Sequence, residues 1–283
     1  MGAIVAAVNK KGENVVYHVV AMLKELTHRG ADAHGIATPN SVRMAKSLDS
    51  LLTKRIESDV ALGHNFSSLL QRDSPQPVLG DNFALVFEGR FFPTPKSSET
   101  EEILKRLKFD PERQACDIIR KFEGTYVFAI ALYNKVLVGR DVMGANSLYY
   151  GENETICAVA SERKALWTIG MKNVKSFPSG NLAMINESGF TLRPVKTVTQ
   201  PLIQTIDMES ATKHLQKLLL ESTRKLVADL DKVAVAFSGG LDSSLVAVLA
   251  KLCGVEPHLI SVGLENQPEL QSAKLAAEAM KLP

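Results

Sequence analysis

Residues 232–244, Lys-Val-Ala-Val-Ala-Phe-Ser-Gly-Gly-Leu-Asp-Ser-Ser, constrain the fold of this chain more than any other stretch. An apolar, β-branched run stops abruptly at a small polar loop that carries a carboxylate. Val233, Val235 and Phe237 read as a short buried strand. Gly239 and Gly240 have no Cβ, so their backbone N–H groups approach an anion closely. The helix opened by Asp242 and Ser243 turns its positive end to the same point. The spacing therefore reads as a phosphate-binding turn. Asp242 beside a phosphate calls for a cation between the two, which implies Mg²⁺. The loop is not a Walker A sequence, since it lacks Gly-Lys-Ser/Thr, and it is not a dinucleotide-binding fingerprint. The plainer alternative is a tight strand-to-helix turn whose glycines serve packing alone.

Composition bounds the rest. A length of 283 residues favours about two domains, and a hydrophobic share of 45% supplies two cores. The 33 basic and 31 acidic residues leave a net charge of +2, which gives no general attraction to nucleic acid or to an anionic membrane. Cys116, Cys157 and Cys253 are far apart and form no C-x-x-C pair. They suit neither zinc nor a disulfide framework, and a reducing cytoplasm fits. No apolar run approaches the roughly 20 residues of a membrane helix. The N-terminal segment carries Lys10 and Lys11 after its apolar stretch, the reverse of a secretory signal.

Along the chain, Ile4–Val8 reads as a first strand and residues 15–28 as an amphipathic helix with Val16, Val19, Leu23 and Leu26 on one face, stopped by Gly30. Strand-like runs follow at Val60–Gly63, Leu85–Phe87, Tyr126–Leu132, Val136–Gly139, Ile156–Ala160 and Leu182–Ile185. Helices interrupt them near Glu99–Leu107 and Glu112–Phe122. Many strands with few helices predict antiparallel sheets with helices packed outside. Residues 193–207 hold two prolines and no clear period, so they read as a linker. Asp207 then caps a helix with Leu215, Leu218, Leu219 and Leu226 on its apolar face. After the loop, Leu245–Lys251 continues a helix, Pro257–Val262 makes a second strand and Leu270–Met280 a second helix. This alternation predicts a parallel sheet.

The loop Ser238-Gly239-Gly240-Leu241-Asp242-Ser243 resembles the pyrophosphate loop of the N-type ATP pyrophosphatases, with Ser244 continuing it. Read with the segments before it, the chain resembles glutamine-dependent asparagine synthetase, which joins an N-terminal-nucleophile (class II) glutaminase to an ATP pyrophosphatase domain. His28-Arg29-Gly30-Ala31-Asp32 looks like that family's HRGPD segment, and Gly63-His64 like the start of its GHxRL strand. Leu85-Val86-Phe87-Glu88-Gly89 looks like its LVFNG strand, and Ser98-Glu99-Thr100-Glu101 is similar to its SDTE helix start. Gly139-Arg140-Asp141, Gly144 and Leu148-Tyr149-Tyr150-Gly151 look like its ARDxxGxxPLYYG hairpin, with Ser147 in place of proline. Ala160-Ser161-Glu162-Arg163-Lys164-Ala165-Leu166 matches its ASExKAL segment closely. The resemblance implies a four-layer αββα sandwich of the N-terminal-nucleophile hydrolase type over residues 1–194, a linker at 195–207, and the first part of a parallel-sheet ATP pyrophosphatase domain over 208–283.

The departures fall on the glutaminase chemistry. In the family an exposed Cys attacks the glutamine amide, with its own α-amino group as proton shuttle. Here that position is Gly2, where no thioester can form. Glu88 stands where the family's oxyanion-binding Asn would be, and a carboxylate there repels a developing oxyanion. Phe66 replaces the Arg that would pair with the glutamine α-carboxylate, and Glu99 replaces an Asp that accepts the substrate ammonium. The expectation is the glutaminase shape without its activity, hence no catalytic residue in the first domain.

The second domain keeps its motif. By resemblance, MgATP is held by Ser238 to Ser244, with Asp242 on the metal and Phe237 and Val262 at the adenine. A carboxylate, aspartate in the family, attacks the α-phosphorus to give an acyl-adenylate, and ammonia displaces AMP. Ser261-Val262-Gly263-Leu264 looks like the family's following strand end. The chain stops before the segments that carry the family's aspartate site, so the reading expects either a second polypeptide or a second copy to complete the C-terminal sheet. Competing readings are a non-catalytic regulatory or scaffold subunit that binds a nucleotide or an amino acid, and a related synthetase acting on another carboxylate.

Overall fold

The computed structural model describes residues 2–52, 56–107, 110–201, 203, 205–264 and 267–282. The chain divides into two compact units, residues 1–91 with 95–199, and residues 92–94 with 200–283.

The first unit begins with β1 (Ala3–Asn9), α1 (Val16–Glu25), a short 3₁₀ turn at Thr27–Arg29, β2 (Ala33–Thr38), β3 (Ser41–Ala45) and α2 (Leu48–Leu51). It continues with β4 (Val60–Phe66), β5 (Val78–Gly80), β6 (Phe83–Phe92), α3 (Glu99–Arg106), α4 (Pro111–Lys121), β7 (Glu123–Leu132) and β8 (Lys135–Arg140). Then come β9 (Tyr149–Glu152), β10 (Ile156–Ala160), α5 (Arg163–Thr168), β11 (Lys175–Ser176), β12 (Asn181–Asn186) and β13 (Gly189–Pro194). They form a seven-stranded sheet, β11-β9-β10-β1-β4-β2-β3, and a six-stranded sheet, β13-β12-β8-β7-β6-β5.

Alternation along the strands explains how the sheets stack. Every residue of β1 is buried, so both its faces are covered. Ala3, Val5 and Ala7 share a core with Val19 and Leu23 of α1 and Leu166 of α5. Ile4, Ala6 and Val8 belong instead to a core with Ala84 and Val86 of β6 and Val127 and Ala129 of β7. On β6, Phe83, Leu85 and Phe87 turn the other way, toward Ile103 of α3 and Ile118 and Ile119 of α4. Three cores between four layers give helix, sheet, sheet, helix, which is the αββα sandwich. Small Ala and Val side chains fill the middle layer, as close face-to-face packing of two sheets requires. Ser98 and Asp110 cap α3 and α4 through the amides of Glu101 and Arg113.

The second unit holds α6 (Met208–Val227), β14 (Lys232–Ala236), α7 (Leu241–Leu252), β15 (Glu256–Ile260) and α8 (Pro268–Met280). β14 and β15 pair in parallel, from Lys232 opposite Glu256 to Ala236 opposite Ile260. Asp207 caps α6 through the Ser210 amide, as its sequence predicts. The apolar face expected on α6 is not buried, however. Leu215, Leu218 and Leu226 are exposed, and only Val227 of that helix is buried.

Gly30 does not end α1, which stops at Glu25. Gly30 is extended, and a Cβ there would lie 2.8 Å from the Phe66 carbonyl carbon and 2.9 Å from the Asn65 oxygen. Its missing side chain lets the backbone pass close to β4. Of the stretch read as a linker, Arg193 and Pro194 extend β13.

Candidate functional site

The inward-facing residues of the two sheets change character at one end of the middle core. On β4, Val60 and Leu62 belong to the middle core, and His64 and Phe66 continue the same face. On β6, Ala84 and Val86 do so, and Glu88 continues them. On β1 the face of Ile4, Ala6 and Val8 is continued at Gly2. Three strands therefore aim Gly2, His64, Phe66 and Glu88 into one cavity of about 220 Å³. Glu99, from the first turn of α3, also lines it, so all four degenerate positions singled out in the sequence, Gly2, Phe66, Glu88 and Glu99, meet there.

Position 2 has no room for a side chain. A Cβ on Gly2 would lie 2.6 Å from Glu88 Oε2, 2.6 Å from the Asn65 carbonyl oxygen and 3.0 Å from His64 Cε1. The Gly2 N–H donates to Glu88 Oε1 at 2.7 Å, and His64 Nε2 lies 3.7 Å from Glu88 Oε2. Burial pushes the Glu88 carboxyl up, but His64 and the Gly2 N–H outweigh it and hold the group below the usual carboxylate range. Glu88 thus remains an anion in the cavity, beside the Gly2 amide.

Arg90 supplies a feature that the sequence did not disclose. Its Nη1 and Nη2 take both oxygens of Asp73 at 2.8 and 2.9 Å, and Nη1 lies 3.4 Å from Glu99 Oε2. Burial would lower the pKa of Arg90, but Asp73 and Glu99 raise it, so the cation is secure. Burial likewise acts against the Asp73 anion, and Arg90 with the Leu70 and Leu69 amides holds its pKa below the ordinary range. The one sequence signal is a second charged residue, after Glu88, inside the apolar run of β6.

Other motif residues frame the cavity rather than enter it. Arg29 Nε donates to the Gly2 carbonyl at 2.9 Å, and Arg29 and His28 both bond Glu162 Oε1, at 3.3 and 2.9 Å. Ser161 Oγ accepts the Ile4 N–H at 2.9 Å. The two segments matched as HRG and ASE thereby clamp the start of β1. Asp141 accepts the amides of Tyr126, Met143 and Gly144, which makes the Arg140–Gly144 segment a structural turn.

In the second unit the loop after β14 has the backbone its sequence requires. Gly239 has φ +74°, and a Cβ there would lie 2.7 Å from Ala273 Cα and 2.8 Å from Ala273 N on α8. Gly240 is the N-cap of α7 and offers no side-chain cap, which leaves the first-turn amides of a 12-residue helix open to an anion. Ser243 Oγ donates to the Gly240 carbonyl at 3.1 Å and lies 3.1 Å from Ser238 Oγ, bracing the loop. Leu241 and Asp242 are exposed in the first turn, with Ser244 partly buried behind them. Phe237 is buried and donates its N–H to the Ile260 carbonyl at 2.8 Å, while Val262 is 96% exposed. The open amides and the Gly239–Gly240 backbone fit a nucleotide phosphate chain. Asp242 fits a hard cation that completes its shell with phosphate and water oxygens. Among the described residues, no group of three His, Cys, Asp or Glu side chains forms a metal site by itself.

Comparison with known proteins matches residues 1–200 to the family described as glutamine amidotransferase domain, and residues 214–283 to the family described as asparagine synthase. A Methanocaldococcus jannaschii protein named as a candidate glutamine-hydrolysing asparagine synthetase is 28% identical over 100% of this chain, which spans 57% of that relative. The glutamine-hydrolysing asparagine synthetase 1 of Lotus japonicus is 31% identical over 92% of this chain, which spans 45% of that protein. The chain thus spans about half the length of these relatives. Among solved structures, a glutamine phosphoribosylpyrophosphate amidotransferase from B. subtilis superposes on 91% of this chain, using 65% of its own, with a TM-score of 0.59 and 18% identity. That likeness concerns the fold.

Proposed function

The chain belongs to the glutamine amidotransferase domain family, in the two-part arrangement of the glutamine-hydrolysing asparagine synthetases, and from that premise we propose a protein of ATP-dependent amide formation whose amidotransferase unit does not hydrolyse glutamine. One observation carries the second clause: the space a nucleophile at position 2 would need is filled by the Glu88 carboxylate and the Asn65 carbonyl. Without a nucleophile no covalent acyl intermediate forms, and with Glu88 anionic no oxyanion is stabilised. Free ammonia is then the nitrogen source.

The loop of the second unit supports the ATP half. Its open amides at Leu241 and Asp242, with Ser238 and Ser243, would hold the phosphates, and Asp242 would hold Mg²⁺. When bound, MgATP supplies an activated phosphorus for a carboxylate substrate, aspartate by analogy with the relatives' names. The chain's own part is to position and neutralise the departing pyrophosphate with fixed N–H donors. The parallel pair β14–β15 also requires further cover, since Ala234, Ala236 and Ile260 are exposed. Additional strands, from a continuing chain or from a second polypeptide, would complete this sheet and with it the carboxylate pocket.

The test is twofold. Glutamate release from L-glutamine should stay at the blank, and calorimetric titration should show nucleotide binding that needs Mg²⁺ and is lost in Asp242→Ala. Glutamate release blocked by a glutamine-analogue inhibitor would overturn the first half. Unchanged MgATP binding by Asp242→Ala would overturn the assigned metal role.

A further inference from the structure

The helix layer leaves one edge of the six-stranded sheet uncovered. Side chains of β12 alternate, with Ala183 and Ile185 in the middle core and Leu182 and Met184 turned toward the helices. The register sets Met184 between Leu137 of β8 and Thr191 of β13, and Leu182 beside Arg193 of β13. α4 lies over β8 and β12. β13 is the edge strand, with Thr191 and Arg193 exposed, and an open groove of about 420 Å³ runs between it and α4. The floor is apolar, formed by Leu137, Leu182 and Met184 with Cys116 of α4, and the rim is basic. Arg113 and Arg120 stand on the α4 side and Arg193 on the strand side. Asp110 and Glu112 also line the groove, but both are engaged: Asp110 accepts the Arg113 amide as the cap of α4, and Glu112 pairs with Lys135. Arg120 Nη1 lies 3.8 Å from Asp117 Oδ1, a carboxylate that Lys121 already holds at 2.8 Å. Lys196 Nζ, donating to the Arg120 carbonyl at 3.3 Å, adds a cation beside this rim. The Arg193 guanidinium has no carboxylate partner among the described residues.

We propose that this groove binds a small amphipathic carboxylate, its alkyl chain lying on Met184 and its head held by Arg193 and Arg120. A guanidinium fork matches the two oxygens of a carboxylate, whereas an ammonium head would meet like charge on both sides of the groove. The methylene stems of the arginines extend the apolar floor upward, so the chain is covered while the head stays wet. Met184 is half-buried, unbranched and polarizable, which lets it adapt to a flexible chain. The volume lies within the ordinary range of small-molecule sites, about 300–1,000 Å³. The groove shares no residue with the cavity around Gly2 or with the loop after β14, so its ligand is independent of glutamine and of ATP.

Calorimetry on the full chain with four probes tests it: octanoate, acetate, which keeps the head without the chain, 1-octanol, which keeps the chain without the charge, and octylammonium, which reverses the charge. Octanoate should bind at one site, 1-octanol and octylammonium at least about fivefold more weakly, and acetate weakest of all. Arg193→Gln should weaken octanoate by about fivefold, the value of one well-formed ion pair at an exposed rim, and Arg193→Lys, which keeps the charge, should recover part of that loss. Thr191→Phe leaves Arg193 in place and fills the groove from the edge strand, so it should abolish octanoate binding. Both positions are exposed, and thermal unfolding confirms that the variants are folded. Absence of octanoate binding, 1-octanol or octylammonium binding as tightly as octanoate, or either Arg193→Gln or Thr191→Phe binding like the parent would overturn the proposal.

Discussion

The cavity of the first unit and the loop of the second carry opposite kinds of change. Around the cavity the frame is complete: two sheets, three apolar cores and a clamp on the start of β1. What departs from the motifs the sequence resembles is a set of side chains lining the cavity, Gly2, Phe66, Glu88 and Glu99. At the loop the sequence keeps the pattern it resembles, but the frame is thin, two parallel strands with exposed Leu215, Leu218 and Ile260 around them. The contrast shows that frame and chemistry rest on different physics. The sandwich is held by apolar burial remote from the cavity, so substitutions at the end of the core leave it standing. The loop's shape turns on the backbone of one glycine, Gly239, with its positive φ and its contact with Ala273, which a short strand and helix can hold.

The comparison breaks most readily at Arg90. If the cavity's new charges were idle, removing Arg90 would matter little. The geometry says otherwise, because Arg90→Met takes from the buried Asp73 and Glu99 carboxylates the cation that pairs with both, leaving Asp73 only the Leu69 and Leu70 amides. Breaking a buried pair in this way costs about 3–5 kcal/mol, and the 26% exposure of the Arg90 side chain places the expectation at the low end, about 3 kcal/mol. For a unit of this size the melting temperature should fall by about 6–12 °C. Adding Asp73→Asn should recover part of the loss. A neutral Arg90→Met would show that the frame does not depend on the cavity at all.

Next in size is the loop. Gly239→Ala meets two obstacles, a positive φ of +74° and the Ala273 backbone at 2.7 Å. Strain and overpacking together should cost about 2 kcal/mol and displace α8. MgATP affinity should fall at least tenfold. Gly240→Ala is the matched control, because Gly240 has an ordinary φ of −77° and a Cβ there meets only Ser238 Oγ at 3.3 Å. It should cost less than about 1 kcal/mol. Equal effects from the two variants would mean that backbone conformation is not what the loop preserves.

The same distinction between local and distant physics decides what was legible in the sequence. β10 is legible residue for residue as Ile156–Ala160, since an apolar run between turn residues is a local signal. The hairpin β2–β3 is not legible, because Ala33–Thr38 is broken by His34 and Gly35 and owes its burial to β4 beside it. The strand, turn and helix of the loop were legible for the reason β10 was. The meeting of Gly2, Phe66, Glu88 and Glu99 follows only from resemblance, and the place of His64 among them does not follow from the sequence at all. The Arg90–Asp73 pair was invisible, since 17 residues of chain separate two groups that the return through β5 and β6 brings together.

A smaller effect is expected at position 2. Gly2→Cys restores the side chain type of a nucleophile but sets its Cβ against Asn65 and Glu88 at 2.6 Å. The start of β1 must shift, at a cost of about 1–2 kcal/mol. No glutamate should be released, because Glu88 remains where the oxyanion would form. Gly2→Cys that melts like the parent and hydrolyses glutamine would erase the contrast between the two regions.

The smallest effect sharpens the account of Glu88 itself. Its folded-state carboxyl lies below the ordinary value of 4.5, because His64 and the Gly2 N–H outweigh the opposing effect of burial. A carboxyl depressed on folding contributes stability that is fully present above pH 4.5 and is lost as pH falls through its folded value. Glu88→Gln keeps an oxygen for the Gly2 N–H and removes the charge, so at pH 7 it should cost only about 1 kcal/mol, the margin of a charged over a neutral hydrogen bond. That cost should shrink as pH drops below 4.5, and the two unfolding curves should converge in acid. Asp73 is also depressed, through Arg90 and the Leu70 and Leu69 amides working against burial, but it is present in both proteins and cancels in the difference. A variant more stable than the parent at pH 7, with the gap closing in acid, would mean that burial dominates at Glu88. The carboxylate would then be a strained occupant of the cavity rather than the partner of Gly2.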